Sequence, residues 1–186
     1  SFNPIFENQR AYSIGALTIA PSDKNILWVG TGEGDPRNSV GYGWGVYKSI
    51  DGGMSWKHLG LKNTERIKRI VVDPKDPNVA CICALGKEWG PNKERGVFKT
   101  IDGGKTWEKI LYIDENTGCA DIAMETNNPR IMYAGMWTFR RKPWRFDDGG
   151  KNTALYRTMD GGQTWKKIMN GLPKKDMARP GVHIAQ

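Results

Sequence analysis

Six carboxylates, Glu33, Asp35, Glu88, Glu94, Asp147 and Asp148, stand in Gly-, Trp- and charge-rich stretches between apolar runs. The chemistry open to such residues is glycoside hydrolysis, which needs two carboxyl groups about 5–9.5 Å apart across the scissile bond. No spacing among the six singles out a pair. Beside them lie Trp44, Trp89, Trp137 and Trp144 with Arg37, Arg140, Arg141 and Arg145. Aromatic platforms next to charged side chains suit sugar stacking or peptide capture. Other motifs fall short. Gly30-Thr31-Gly32-Glu33-Gly34 places Asp35 where a dinucleotide fingerprint needs its third glycine, and Gly104-Lys105-Thr106 has Lys99 where a phosphate loop needs its first. His58 and His183 belong to no ligand-spaced cluster, so neither a metal nor a cofactor is expected. Cys81, Cys83 and Cys119 are odd in number and lack a CxxC pair, which predicts buried free thiols rather than a disulfide framework or a zinc site.

The elements that position these residues are set by an eight-residue motif that occurs three times: Ser49 to Trp56, Thr100 to Trp107 and Thr158 to Trp165. Each copy reads Ser/Thr, apolar, Asp, Gly, Gly, any residue, Ser/Thr, Trp. The positions that carry it are Ser49, Asp51, Gly53, Ser55 and Trp56; Thr100, Asp102, Gly104, Thr106 and Trp107; and Thr158, Asp160, Gly162, Thr164 and Trp165. An Asp followed by two glycines lets the backbone take positive φ without a Cβ clash, while the carboxylate accepts hydrogen bonds from the turn's own N–H groups. The Asp-to-Asp intervals are 51 and 58 residues. A period of that size marks a repeat architecture.

On these residues the chain resembles the Asp-box (BNR) repeat of β-propellers found in sialidases, xyloglucan-cleaving glycosidases, sortilin-type receptors and exported bacterial proteins. The resemblance implies a structural turn away from the ligand face. It also implies an all-β fold. We read a β-propeller fragment of three four-stranded antiparallel blades, 11–61, 62–111 and 112–172. One outer strand in 1–10 closes a preceding blade, aligning Ile5 with Leu59 and Ile110, and one inner strand in 173–186, at Val182 to Ile184, opens the next. Three blades leave two blade faces open, whereas propellers close with about four to eight. The partners expected first are therefore the remaining blades of a larger propeller or assembly.

The ligand face in such propellers comprises the loops between second and third strands and the links between blades: Glu33 to Trp44, Lys87 to Arg95, Trp137 to Thr153, Lys62 to Arg66 and Lys174 to Arg179. The longest, Trp137 to Thr153, carries a local charge of +3 and is the favoured recognition loop, with Arg140, Arg141, Trp144 and Arg145 as its binding residues. Glu33, Arg37, Trp44 and Trp89 are the further candidates. Phe139-Arg140-Arg141-Lys142-Pro143 is similar to a sialidase Arg-containing motif but has one residue too many and follows two boxes, so no arginine triad carries over.

The net charge of +8 permits an anionic partner, but many lysines fall at turn and outer-strand positions, where they keep sheet edges from pairing with other chains. No nucleic-acid-binding module is recognisable, and no apolar run is long enough to span a membrane. The resemblance implies a noncatalytic propeller portion of an exported bacterial protein, located outside the cell, in the periplasm or on the cell surface, that binds a glycan, peptide or protein partner. A portion of a xyloglucanase- or sialidase-like glycoside hydrolase and a sortilin-like peptide-binding module are the alternatives.

Overall fold

The computed structural model describes residues 3–173 and 177–185. Thirteen strands and one 3₁₀ turn, Lys62–Thr64, are present among them. The first blade is β1 (Ile14–Ala20), β2 (Asp23–Thr31), β3 (Val46–Ser49) and β4 (Lys57–His58), and the second is β5 (Ile67–Val72), β6 (Ala80–Ala84), β7 (Gly96–Thr100) and β8 (Glu108–Leu111). The third is β9 (Thr117–Met124), β10 (Met132–Lys142), β12 (Ala154–Thr158) and β13 (Lys166–Ile168), with β11 (Arg145–Asp148) added to β10. Each blade is an antiparallel meander in chain order, the inner strand first. No helix among the described residues is long and apolar enough to cross a membrane.

The boxes close the β3–β4, β7–β8 and β12–β13 turns by one repeated network. Asp51 Oδ1 accepts from Ser49 Oγ (2.7 Å) and from the Ser55 amide (2.9 Å), and Ser49 Oγ accepts from the Gly53 amide (2.8 Å). Thr100, Asp102, Gly104 and Thr106 repeat these bonds, as do Thr158, Asp160, Gly162 and Thr164. Both box glycines adopt positive φ in every copy. The second also leaves room for the neighbouring blade: a Cβ at Gly104 would come within 2.5 Å of Leu59, and one at Gly162 within 2.6 Å of Ile110. The first glycine of each box donates to a carbonyl in its own blade's first hairpin, Asn25, Asn78 or Arg130, each at 2.9 Å. The boxes thus share one end of the sheets with the Asp-Pro turns, as the repeat predicts.

Blade-to-blade packing supplies the core. β6 is buried on both faces, and the period of two along a strand explains how. Ala80, Ile82 and Ala84 pack with Trp28, Val46, Ile70 and Val72 of the first interface, while Cys81 and Cys83 face Cys119, Ile122, Met132 and Met136 of the second. Each fully buried Ile or Met side chain among them contributes roughly 1.5–3 kcal/mol. The box tryptophans cross the seams. Trp107 meets Trp28 edge to face at 6.2 Å and donates its indole N–H to the Leu59 carbonyl (2.8 Å). Trp56 donates likewise to Ile5 (2.7 Å).

Three expectations need correction. Cys83 and Cys119 form a disulfide with a Cα–Cα distance of 4.9 Å, leaving Cys81 as a buried free thiol whose burial pushes its pKa up to about 12. Alternation along β6 put Cys83 on the face toward β9, where Cys119 waits. The terminal strands do not form among the described residues: 3–10 is turn and bend, and 181–185 is irregular. Ile5 nevertheless fills the place of Leu59, as the alignment requires, and the Val182 amide is held by Asp121 Oδ2 (3.0 Å). Finally, Trp137 to Thr153 is not an irregular loop. β10 continues beyond the blade and folds back as β11, pairing Phe139 with Asp148 and Lys142 with Arg145. Of the expected link Lys174 to Arg179, residues 174–176 lie outside the described residues.

Candidate functional site

Because box turns and first hairpins share one end of the blades, antiparallel topology puts the β2–β3, β6–β7 and interblade connections at the other. The six acidic residues proposed for chemistry all lie there, and each is engaged. Glu33 pairs with Arg37 (2.7 Å) and accepts from the Gly41 amide (3.2 Å), closing the 33–41 loop. Asp35 Oδ1 receives Lys68 (3.0 Å) and Arg179 (2.6 Å). Glu88 is bound to Arg66, both fully buried, and Glu94 faces Lys109 (3.5 Å). Asp147 pairs with Arg145 and with Lys142 (3.4 Å), and Asp148 accepts the Trp137 indole N–H (2.8 Å). The Gly41 amide and Arg37 hold the Glu33 carboxyl below its ordinary value, and Arg179 and Lys68 do the same to Asp35. A general acid needs the opposite displacement.

The hairpin gathers four of the expected binding residues. Trp144 sits at its turn, 81% exposed, beside Arg145. Arg141 lies over the Phe146 ring (5.1 Å) and hydrogen-bonds Asn38 in the 33–44 loop, two blades away in sequence. A side chain at Gly90 would meet Arg140 Nη1 at 3.6 Å, which sets Arg140 beside the loop that carries the exposed Trp89. The hairpin is anchored by Trp137 stacked on Phe139 (4.5 Å), with Phe146 edge-on to Trp137 (6.0 Å). Glu33, Arg37 and Trp89 therefore belong to loops that the hairpin touches. Trp44 stands apart, under Arg10 (4.8 Å) and Lys62 (6.0 Å), with its carbonyl held by His58 Nε2 (2.7 Å).

Beneath this face lies a cluster that sequence reading missed. Arg66 and Arg95, both fully buried, lie over the Phe139 ring at 5.1 and 4.2 Å. Arg66 Nε donates to the Gly86 carbonyl (2.7 Å) and Arg95 Nη2 to that of Lys87 (2.8 Å), so the β6–β7 loop is tied down from within. Burial, with Arg66 close by, pushes the Arg95 guanidinium down to about 9, still protonated at neutral pH. One signal was available: Trp137, Phe139 and Phe146 alternate with polar residues, which is strand patterning. Among the described residues no group of three or more His, Cys, Asp or Glu could hold a metal ion.

Comparison with known proteins places this geometry. Xyloglucanase Xgh74A of Acetivibrio thermocellus is 23% identical over 202 residues, a match covering 92% of this chain and 21% of the enzyme. An ancestral GH74 enzyme superposes with a TM-score of 0.64 at 19% identity, covering 92% of this chain and 22% of that one. The GH74 enzyme of Niastella koreensis gives 0.56 at 20% identity, covering 82% and 21%. YCF48 of Cyanidioschyzon merolae gives 0.52 at 18% identity, covering 86% and 38%. The chain thus spans about a fifth of the length of the xyloglucanase it matches, and the structural likenesses show that its sheets are β-propeller blades. Residues 45–181 match the model of the Sortilin-Vps10 family (sortilin, neurotensin receptor 3), and the chain belongs to that family.

Proposed function

We propose that these blades are the noncatalytic, ligand-binding portion of a larger exported protein whose loop face takes a glycan, peptide or protein partner. The observation that carries this reading is the division of labour on that face. Each of its six candidate carboxylates is engaged by a cation or an N–H donor, while Trp144, Trp89, Trp44, Arg37 and Arg145 remain open to solvent. Exposed aromatics beside arginine are the composition of interface hot spots. Export is supported by the Cys83–Cys119 bridge, since disulfides persist in oxidising compartments. The remaining blades of the same propeller are the first partners in this reading.

A second reading, part of a xyloglucan-cleaving hydrolase, is favoured by the kinship with xyloglucanase Xgh74A. Membership in the sortilin family favours a peptide as the ligand. The full-length protein should be incubated with xyloglucan oligosaccharides while binding is screened on glycan and peptide arrays. Binding without cleavage is expected, and Arg141→Ala/Trp144→Ala/Arg145→Ala should weaken attachment of a protein or peptide partner without loss of fold. Release of oligosaccharide products would shift the conclusion to the hydrolase.

A further inference from the structure

The link between the first two blades forms one wall of a cleft of about 990 Å³ that takes in Trp44 and Glu94 of the loop face and no residue of the β10–β11 hairpin. That volume lies at the upper end of the roughly 300–1,000 Å³ typical of small-molecule clefts, room for an oligomer rather than a single unit. Three aromatic side chains face it, Tyr12 (99% exposed), Tyr42 (56%) and Trp44 (36%). Four cations join them, Arg10, Lys62, Lys87 and Lys93; Lys87 pairs with Glu65 (3.7 Å), and among the described residues the other three have no carboxylate partner. Between the cations stand two acceptors, Glu65 and Glu94.

The wall is held in an unusual backbone. Leu61 (φ 58°) and Glu65 (φ 54°) are the two non-glycine residues with positive φ among the described residues, and they bracket the 3₁₀ turn that presents Lys62 to the cleft. At Glu65 ψ is −37°, outside the left-handed helical region. L-residues keep such conformations only where their surroundings impose them, and they gather at ligand sites. Here the surroundings are the loop that carries Trp44: the Gly43 amide donates to the Glu65 carbonyl at 2.7 Å. The loop that carries Trp44 and the turn that carries Lys62 are thereby tied to each other.

We propose that this cleft binds a carboxylate-bearing oligosaccharide, a chain of uronic-acid type. The inference rests on the ligand-binding reading above and names its ligand class. The exposed Tyr12 and Tyr42 rings receive the C–H faces of sugars, Arg10 and Lys62 beside Trp44, with Lys93, receive sugar carboxylates, and Glu65 and Glu94 accept sugar hydroxyls. An acidic peptide satisfies the cations but brings few hydroxyls to the two glutamates, whereas a uronic-acid chain carries both a carboxylate and hydroxyls on every ring. The mixture of both acceptor and cation beside aromatics therefore favours the sugar.

The test uses the full-length protein and titration calorimetry with a galacturonate trimer, its methyl ester and a hexaglutamate peptide. Two cleft variants, Tyr12→Ala/Tyr42→Ala and Lys62→Ala/Lys93→Ala, replace exposed side chains, and their melting curves verify the fold. The control is Lys24→Ala/Lys75→Ala, two exposed lysines in the first-hairpin turns at the opposite end of the blades. The trimer is expected to bind, at least tenfold more weakly in each cleft variant, unchanged in the turn-lysine control, and at least tenfold more weakly as the ester. Equal binding of ester and acid, preference for the peptide, or insensitivity to the cleft variants would each overturn the proposal while leaving a binding function in place. Cleavage of xyloglucan with no binding to the cleft would instead remove the binding reading itself.

Discussion

Arg66 and Glu88 neutralise each other inside the protein, so the loss of either strands the other. Arg66→Ala leaves a fully buried carboxylate without its cation, and breaking such a pair costs about 3–5 kcal/mol. Chemical denaturation should show that loss, and Arg66→Ala/Glu88→Ala should recover part of it. A second residue-scale prediction concerns acid. The Ser55 hydroxyl and amide, with Ser49, hold the Asp51 carboxyl down at about 2 against an ordinary 3.8. Thr106 and Thr164 lower Asp102 and Asp160 in the same way. A depressed folded-state pKa contributes stability that is present above the unfolded value and lost as pH falls through the folded one. The box contribution should therefore fade between about pH 4 and 2. Ser55→Ala should raise the Asp51 titration seen by NMR and flatten that acid dependence. An unmoved Asp51 titration would refute the assigned cause. The box is legible in the sequence because its bonds are local, within five residues; the Arg66–Glu88 pair is not, because 22 residues separate partners that the β5–β6 pairing brings together.

Strands and turns were readable wherever the pattern was internal to the element. All twelve blade strands follow from alternation plus turn residues, and β6 reads as continuous because both its faces are covered. In the sequence the hairpin β10–β11 reads as a loop because glycine, proline and charge dominate 140–151, masking the alternation of Trp137, Phe139 and Phe146. The disulfide is illegible in the sequence for a different reason. Parity and spacing carry no information about which strand will face Cys83, and that is decided by how β6 packs on β9. The bridge closes a loop of 36 residues between two blades, for which the chain-entropy account gives about 3–4 kcal/mol. Cys83→Ser/Cys119→Ser should lower the stability of the oxidised protein by that order. Addition of reductant should destabilise the wild type and leave the double variant unaffected. Equal stability of wild type and variant under oxidising conditions would mean that the bridge does not constrain the interface.

At the scale of the molecule, the three inner strands repeat a row of apolar residues pointing toward the preceding blade. Ile70 and Val72 of β5 are 2% and 6% exposed against the first blade, and Ile122 of β9 is fully buried against the second. Their counterparts on β1, Leu17 and Ile19, are 60% and 54% exposed, while the intervening Thr18 hydroxyl is already bonded to the Ile70 carbonyl on the other side. The same chemistry in the same register thus lacks its cover at one position in three. Ile5 adds to the pattern. It meets Trp56 as Leu59 meets Trp107, which is the contact a preceding blade's outer strand makes. We expect a further blade to cover Leu17 and Ile19 in the full-length protein, and the expectation separates from its opposite by a single substitution. On an open surface Leu17→Asp changes stability by no more than about 0.5 kcal/mol. Against a neighbouring blade the new carboxylate is desolvated without a partner, at a cost on the order of several kcal/mol. Thermal unfolding of full-length Leu17→Asp should therefore begin well below wild type, with Ile19→Asp behaving alike and the solvent-facing Lys57→Asp neutral. If both apolar-row variants match wild type, β1 is an open face and the propeller does not continue across it.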